Sequence, residues 1–108
     1  MSTAVRALIL AAIAENPVMI FSKSYCPYCT RVKALFDELK VVYKALELDL
    51  DEQGQAIQAA LKELTGQSTV PNVYVNGTHV GGCDSTIAAN KSGKLKELLD
   101  SSAPKPKA

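Results

Sequence analysis

Tryptophan is absent from this 108-residue chain, histidine occurs once and cysteine three times. Three thiols, a low and odd number, argue against the disulfide frameworks of small secreted domains. His79 and Cys83, the only candidates to join Cys26 and Cys29 around a structural zinc, fit no common ligand spacing. Charge of one sign is lacking too. Twelve basic and eleven acidic residues leave a net +1, without the basic field that nucleic acid demands. The cluster Tyr25, Tyr28 and Arg31 is a poor RNA platform. No apolar run reaches the roughly 18 residues of a membrane span. The nearest stretch, Ala7 to Ala14 behind Arg6, has the composition of a short signal peptide. However, Val5, Leu8, Ile9, Ala12 and Ile13 fall at helical spacing, and Ser2 or Thr3 can cap the start. The expectation is a packing helix in a cytosolic protein, with neither nucleic acid nor membrane as partner.

What remains is ordinary soluble composition, 47% hydrophobic and 21% charged, in a length that suits one domain. A core of that size needs no disulfide or metal to fold. Asn16 and Pro17 end the first helix. Val18 to Phe21 reads as a strand buried on both faces. Val32, Leu35, Phe36 and Leu39 then repeat at helical intervals, in a helix beginning near Pro27, where proline is favoured. Tyr43 to Leu48 alternates as a second strand, completing a right-handed βαβ unit. A helix carrying Ile57, Ala60, Leu61 and Leu64 stops at Gly66. Asn76-Gly77, between Val73-Tyr74-Val75 and Thr78-His79-Val80, predicts a type I′ hairpin. Two short helices follow, one after Asp84 and one bearing Leu95, Leu98 and Leu99. The order is α-β-α-β-α-β-β-α-α, an α/β domain over residues 1–100. The tail 101–108, "SSAPKPKA", lacks apolar residues and is expected to be disordered.

The chemistry centres on "SKSYCPYC". Cys26 closes a loop leaving a parallel strand, directly before a helix start. The free N–H groups there favour negative charge, and Lys23 adds a cation. That setting favours a thiolate. Cys29 lies inside the first turn, more covered, so the two thiols are unequal: Cys26 attacks, and Cys29 can attack a mixed disulfide formed on Cys26. A disulfide between them would close too small a loop to be a useful staple. C-x-x-C beside a βαβ pattern reads as a redox pair.

Two further stretches bear on the same site. In "TVPNVYVNG", Pro71 pushes Val70 into extended geometry. Were that peptide bond cis, Val70 would present its N–H and C=O as a strand edge able to pair with a peptide backbone; the alternative is an ordinary turn proline. In "GGCDST", Gly81 and Gly82 permit close backbone approach, and Asp84 suits the N-cap of the next helix. That helix start can hold a carboxylate at Cys83 and Asp84. Lys23 and Gln67 can hold another at the opposite end. A small peptide with two carboxylates flanking a thiol fits such a cleft.

"CPYC", "TGQSTVPNVYVNG" and "GGCDST", in this order and spacing, resemble the dithiol glutaredoxins of the eukaryotic cytosol, the plant and algal kind included. The resemblance runs from about residue 4 to residue 100. It implies a thioredoxin fold, a four-stranded mixed sheet flanked by helices, with Pro71 cis beside the cysteines. It implies glutathione as co-substrate, glutathionylated proteins as clients, a monomer, and no metal. Family roles fall on Cys26 as nucleophile, Cys29 as resolving thiol and Tyr28 as a wall of the groove. Lys23 and Gln67 would hold the glycine carboxylate, Val70 the cysteinyl backbone, and Cys83 and Asp84 the γ-glutamyl end. Thr69, Pro71 and Gly82 complete the glutathione-binding set. One departure is Ser68, where many relatives carry a basic residue. Cys83 is either a small packing residue under the groove or a thiol with its own redox role. His79 is expected to be a solvated surface residue.

The reaction so implied is glutathione-dependent thiol–disulfide exchange. Two rivals belong to other classes. One is a dimer sharing a [2Fe–2S] cluster through Cys26 and two glutathiones, which Pro27 disfavours by stiffening the loop. The other is a thioredoxin-like general reductase, a family with tryptophan and glycine around its pair; here tryptophan is missing.

Overall fold

The computed structural model describes residues 3–100. Its elements are α1 (Thr3–Glu15), β1 (Val18–Ser22), α2 (Pro27–Glu38), β2 (Lys44–Glu47), α3 (Gly54–Thr65), β3 (Asn72–Val75), β4 (Thr78–Gly81), α4 (Cys83–Ser92) and α5 (Lys94–Asp100). The strands form one sheet in the order β2-β1-β3-β4. β1 runs parallel to β2 and antiparallel to β3, and β3 runs antiparallel to β4. This is the mixed four-stranded sheet expected.

β1 is buried throughout and apolar from Val18 to Phe21, because it is central and covered on both sides. Alternate residues face opposite layers. Met19 and Phe21 join Val5, Ile9 and Ile13 of α1 and Ile57, Ala60 and Leu61 of α3. Val18 and Ile20 join Val32 and Phe36 of α2, Cys83 of α4 and Leu95 of α5. The site therefore lies where β1 hands over to α2, with each face of the sheet holding the junction firm.

Local signals decide the turns. Asn76 and Gly77 both have positive φ, 48° and 83°, as a two-residue type I′ turn requires. The Asn76 amide also donates to the Leu98 carbonyl at 2.8 Å, tying the hairpin to α5. Gly66 ends α3 in the left-handed region at φ 81°.

The structure departs from expectation in three places. α4 begins at Cys83 with Gly82 as its N-cap, so Asp84 lies within the first turn. The extended backbone of Gly82 permits the earlier start, and the Gly82 carbonyl accepts both the Thr86 N–H and its hydroxyl. Asp84 still faces the positive end of the helix. In α1, Leu8 is exposed, because the stripe against the core is Val5, Ile9 and Ile13. β2 is shorter than the alternation suggested. Tyr43 leaves it to pack on Phe36, ring centroids 6.4 Å apart. Thr3 is already helical, whereas Ser2 and the tail 101–108 lie outside the described residues.

Candidate active site

Cys26 is the N-cap of α2, with Pro27 at the first helical position. Its own N–H donates to the Lys23 carbonyl at 3.0 Å, which closes the loop after β1. Its carbonyl accepts the Thr30 N–H at 3.1 Å, the first bond of the helix. Its Sγ accepts the Cys29 N–H at 3.4 Å, so sulfur takes the capping part that an oxygen usually plays. On the other side the thiol reaches the Val70 carbonyl at 3.9 Å. The Val70-Pro71 bond is cis. Among the described residues neither the N–H nor the C=O of Val70 has a backbone partner, so a strand-like edge faces the half-buried Cys26 sulfur.

Cys29 differs in every respect. It is wholly buried, and burial pushes its thiol up from the ordinary value. The Lys23 backbone and the Ser22 hydroxyl act on the sulfur in the opposite sense, while the neighbouring Cys26 adds to the rise.

Tyr28, Thr69, Val70, Pro71, Gly82, Cys83 and Asp84 line one open groove together with Ser85. The segments abut closely: a Cβ on Gly82 would lie 3.6 Å from the Pro71 carbonyl. Cys83 is buried at the groove floor, as the packing reading required, and Tyr28 stands exposed at its wall. Ser85 escaped sequence reasoning; its place in the first turn of α4 was the available signal.

Two residues assigned to the opposite end are not in the lining of this groove, although Gln67 lies directly behind Pro71 and Gly82. Lys23 lines a neighbouring hollow with Tyr25, Asp49, Asp51 and Glu52. Gln67 donates its amide hydrogens to the Thr69 and Pro71 carbonyls, at 2.9 and 2.8 Å. It braces the cis-proline loop, and a carboxylate would have to displace one of those bonds. Ser68 is exposed, and its carbonyl accepts from Gln58 at 2.9 Å. In the Lys23 hollow, Asp49 accepts both the Ser24 N–H and its hydroxyl. Those bonds hold its carboxyl below the ordinary value.

His79 is exposed yet not simply solvated. Its Nε2 lies 2.9 Å from Asn72 Oδ1 and its ring packs on Tyr74, centroids 5.1 Å apart. Partial burial there pushes its pKa down.

A second layer beneath the cysteines was not anticipated. Ser22 and Glu47 are register partners at the ends of β1 and β2. The fully buried Ser22 hydroxyl donates to Glu47 Oε1 at 2.7 Å, and Lys33 Nζ pairs with Glu47 Oε2 at 2.6 Å. The sequence hint was a polar residue closing an apolar strand.

A sheet of this topology, with a C-x-x-C pair capping α2 opposite a cis-proline, defines a thioredoxin-fold dithiol oxidoreductase. The glutaredoxin family profile matches residues 18–80. Glutaredoxin-C6 of Oryza sativa subsp. japonica is 56% identical over 87 residues, covering 81% of this chain and 78% of that protein. Buckwheat glutaredoxin in its glutathione complex superposes with a TM-score of 0.88 at 47% identity, covering 90% of this chain and 88% of that one. Wheat glutaredoxin gives 0.89 at 52% identity, covering 94% and 95%. The chain belongs to the glutaredoxin family, and as such it is a glutathione-dependent thiol–disulfide oxidoreductase.

Proposed function

We propose that Cys26 attacks the glutathione sulfur of a protein–glutathione mixed disulfide. A Cys26–glutathione bond forms, and the protein sulfur leaves as thiolate and takes up a proton. A second glutathione then attacks the bound one as its thiolate. Oxidised glutathione departs and the Cys26 thiolate is restored. In the alternative branch Cys29 displaces the bound glutathione, closing a Cys26–Cys29 disulfide that two glutathiones reopen. The observation that carries this reading is the placement of Cys26 Sγ between the α2 N-terminus and the free backbone edge of Val70.

Glutathione suits the groove chemically. Val70 offers backbone pairing to its cysteinyl unit, and the first turn of α4 at Cys83, Asp84 and Ser85 offers N–H groups to the γ-glutamyl carboxylate. Tyr28, Thr69, Pro71 and Gly82 shape the walls. Lys23 answers the glycine carboxylate as a cation beside the groove, and Gln67 contributes through the loop it braces. We also place the protein in the cytosol as a monomer serving glutathionylated clients, on its composition and free thiols. The cluster-bearing dimer, with Cys26 as this chain's ligand, draws no specific support from the geometry.

The test is glutathione-dependent turnover of a glutathione mixed disulfide by wild type, Cys26→Ser and Cys29→Ser. Turnover falls to the uncatalysed background with Cys26→Ser and persists with Cys29→Ser. Persistence with Cys26→Ser would sink the assignment.

A further inference from the structure

Cys29 has to lose a proton before it can close the two-thiol branch, and it sits where water does not reach it. Two groups near it can favour the anion. One is the Ser22 hydroxyl, which acts directly on its sulfur. The other is the Lys33 ammonium, one helical turn further along α2 on the same face; a charge on Cys29 raises the Lys33 pKa. Both groups are engaged by a single carboxylate. Glu47 accepts the Ser22 proton at 2.7 Å and pairs with Lys33 at 2.6 Å. Burial, the largest single influence, works against the charge on Lys33, but the Glu47 bond together with the negative charges of Glu47, Cys29 and Tyr43 outweighs it, so its pKa is raised and it stays cationic.

The arrangement follows from the fold. Parallel register sets Ser22 beside Glu47, and the i, i+4 spacing sets Lys33 below Cys29. No solvent-exposed loop takes part, so the geometry is held by the sheet and one helix. The other groups around the sulfur are Cys26 on α2 and the Lys23 backbone after β1. Tyr43, ahead of β2, faces Lys33.

We propose that Glu47 is a positioning residue that competes with the Cys29 thiolate for the Ser22 hydroxyl and the Lys33 ammonium, and so restrains the two-thiol branch in favour of the one-thiol branch. The inference rests on the roles of Cys26 and Cys29 given above. The governed step balances simply. The Cys29 proton passes to solvent or base; the Cys29 thiolate attacks Cys26 Sγ; the Cys26–Cys29 bond forms as the Cys26–glutathione bond breaks. The glutathione thiolate leaves and is protonated.

The two partners of the ion pair then have opposite effects. Removing the Glu47 charge frees the Ser22 hydroxyl and the Lys33 cation for the thiolate, so Cys29 ionises at lower pH. Removing the Lys33 charge leaves an anion without its counter-ion near the sulfur, so Cys29 ionises at higher pH. An ion pair that merely supports packing would give changes of the same sign, because losing either member loosens the same contact.

The experiment uses full-length protein carrying Cys26→Ser, so the readout does not depend on turnover. Alkylation of Cys29 is followed against pH, with Cys29 resolved from Cys83 by mass spectrometry. We expect Glu47→Gln to lower the midpoint by about one pH unit and Lys33→Gln to raise it by a similar amount, as a single nearby charge does. Lys33→Arg, which keeps the charge, should stay near the parent. In otherwise wild-type protein with glutathione on Cys26, Glu47→Gln should speed closure of the Cys26–Cys29 disulfide. The gain is about threefold, because a tenfold rise in thiolate is partly cancelled by weaker nucleophilicity. Midpoints that move the same way, or that do not move while circular dichroism shows folded protein, overturn the proposal. Neither result touches the reading of Cys26, which the turnover assay tests separately.

Discussion

Two hollows border the segment from Lys23 to Tyr28, and they are built of different material. The groove holding Val70, Pro71, Gly82 and Cys83 offers mainly backbone: a cis-proline edge and the first turn of α4. The neighbouring hollow is made of side chains, with Lys23 among Asp49, Asp51 and Glu52 over a floor at Leu48 and Gly54. Backbone recognition is set by the path of the chain and resists substitution. Side-chain recognition is set by charge and yields to salt, pH and single changes. One small peptide touching both would be positioned by the first and weighted by the second.

The sharpest way to break this contrast is at the floor of the charged hollow. A Cβ at Gly54 would lie 1.7 Å from the Leu48 carbonyl, which is backbone and cannot step aside. Gly54→Ala is expected to destabilise the protein by about 3 kcal/mol, read as a thermal midpoint lower by roughly 10 °C or more. Next in size is the charge itself. Lys23→Gln should raise KM for a glutathione mixed disulfide by about three- to tenfold and steepen no salt dependence. Asp84→Asn, in the backbone-built groove, should change it by less than about twofold. Equal effects from the two would erase the distinction between the hollows. The smallest effect belongs to Asp49. Its carboxyl is held below the ordinary value by Ser24, so the contact contributes above about pH 4 and is lost as pH falls through the folded-state value. Because Asp49 is exposed, the change is modest. Thermal midpoints taken down an acid series should fall less in Asp49→Asn than in wild type.

What could be read beforehand divides along the same line. The Asn76-Gly77 turn, the two-sided burial of β1 and the stop at Gly66 follow from local preference, so the residues announce them. The cap of α4 was misplaced because Asp84 has the better side chain for the task, whereas the helix starts two residues earlier, with the extended Gly82 carbonyl taking its first bond from Thr86. Gly54 gave no sign, since its constraint comes from Leu48 across a turn. Ser22 gave only the hint of a polar residue closing an apolar strand, and Lys33 and Glu47 gave none: their meeting needs strand register and helix reach together. The cysteine pair and its groove were legible because each motif is contiguous, whereas the hollow that Lys23 lines was not, because its residues meet only in three dimensions.

Cys29 touches the reactive sulfur through its backbone N–H at 3.4 Å while its own thiol is buried beneath. The peptide unit and the side chain thus do separate jobs at one position. A serine there keeps the N–H and loses only the sulfur. The support given to the first thiol is therefore independent of the second, and a single-atom exchange converts a two-thiol catalyst into a one-thiol catalyst without rebuilding the site.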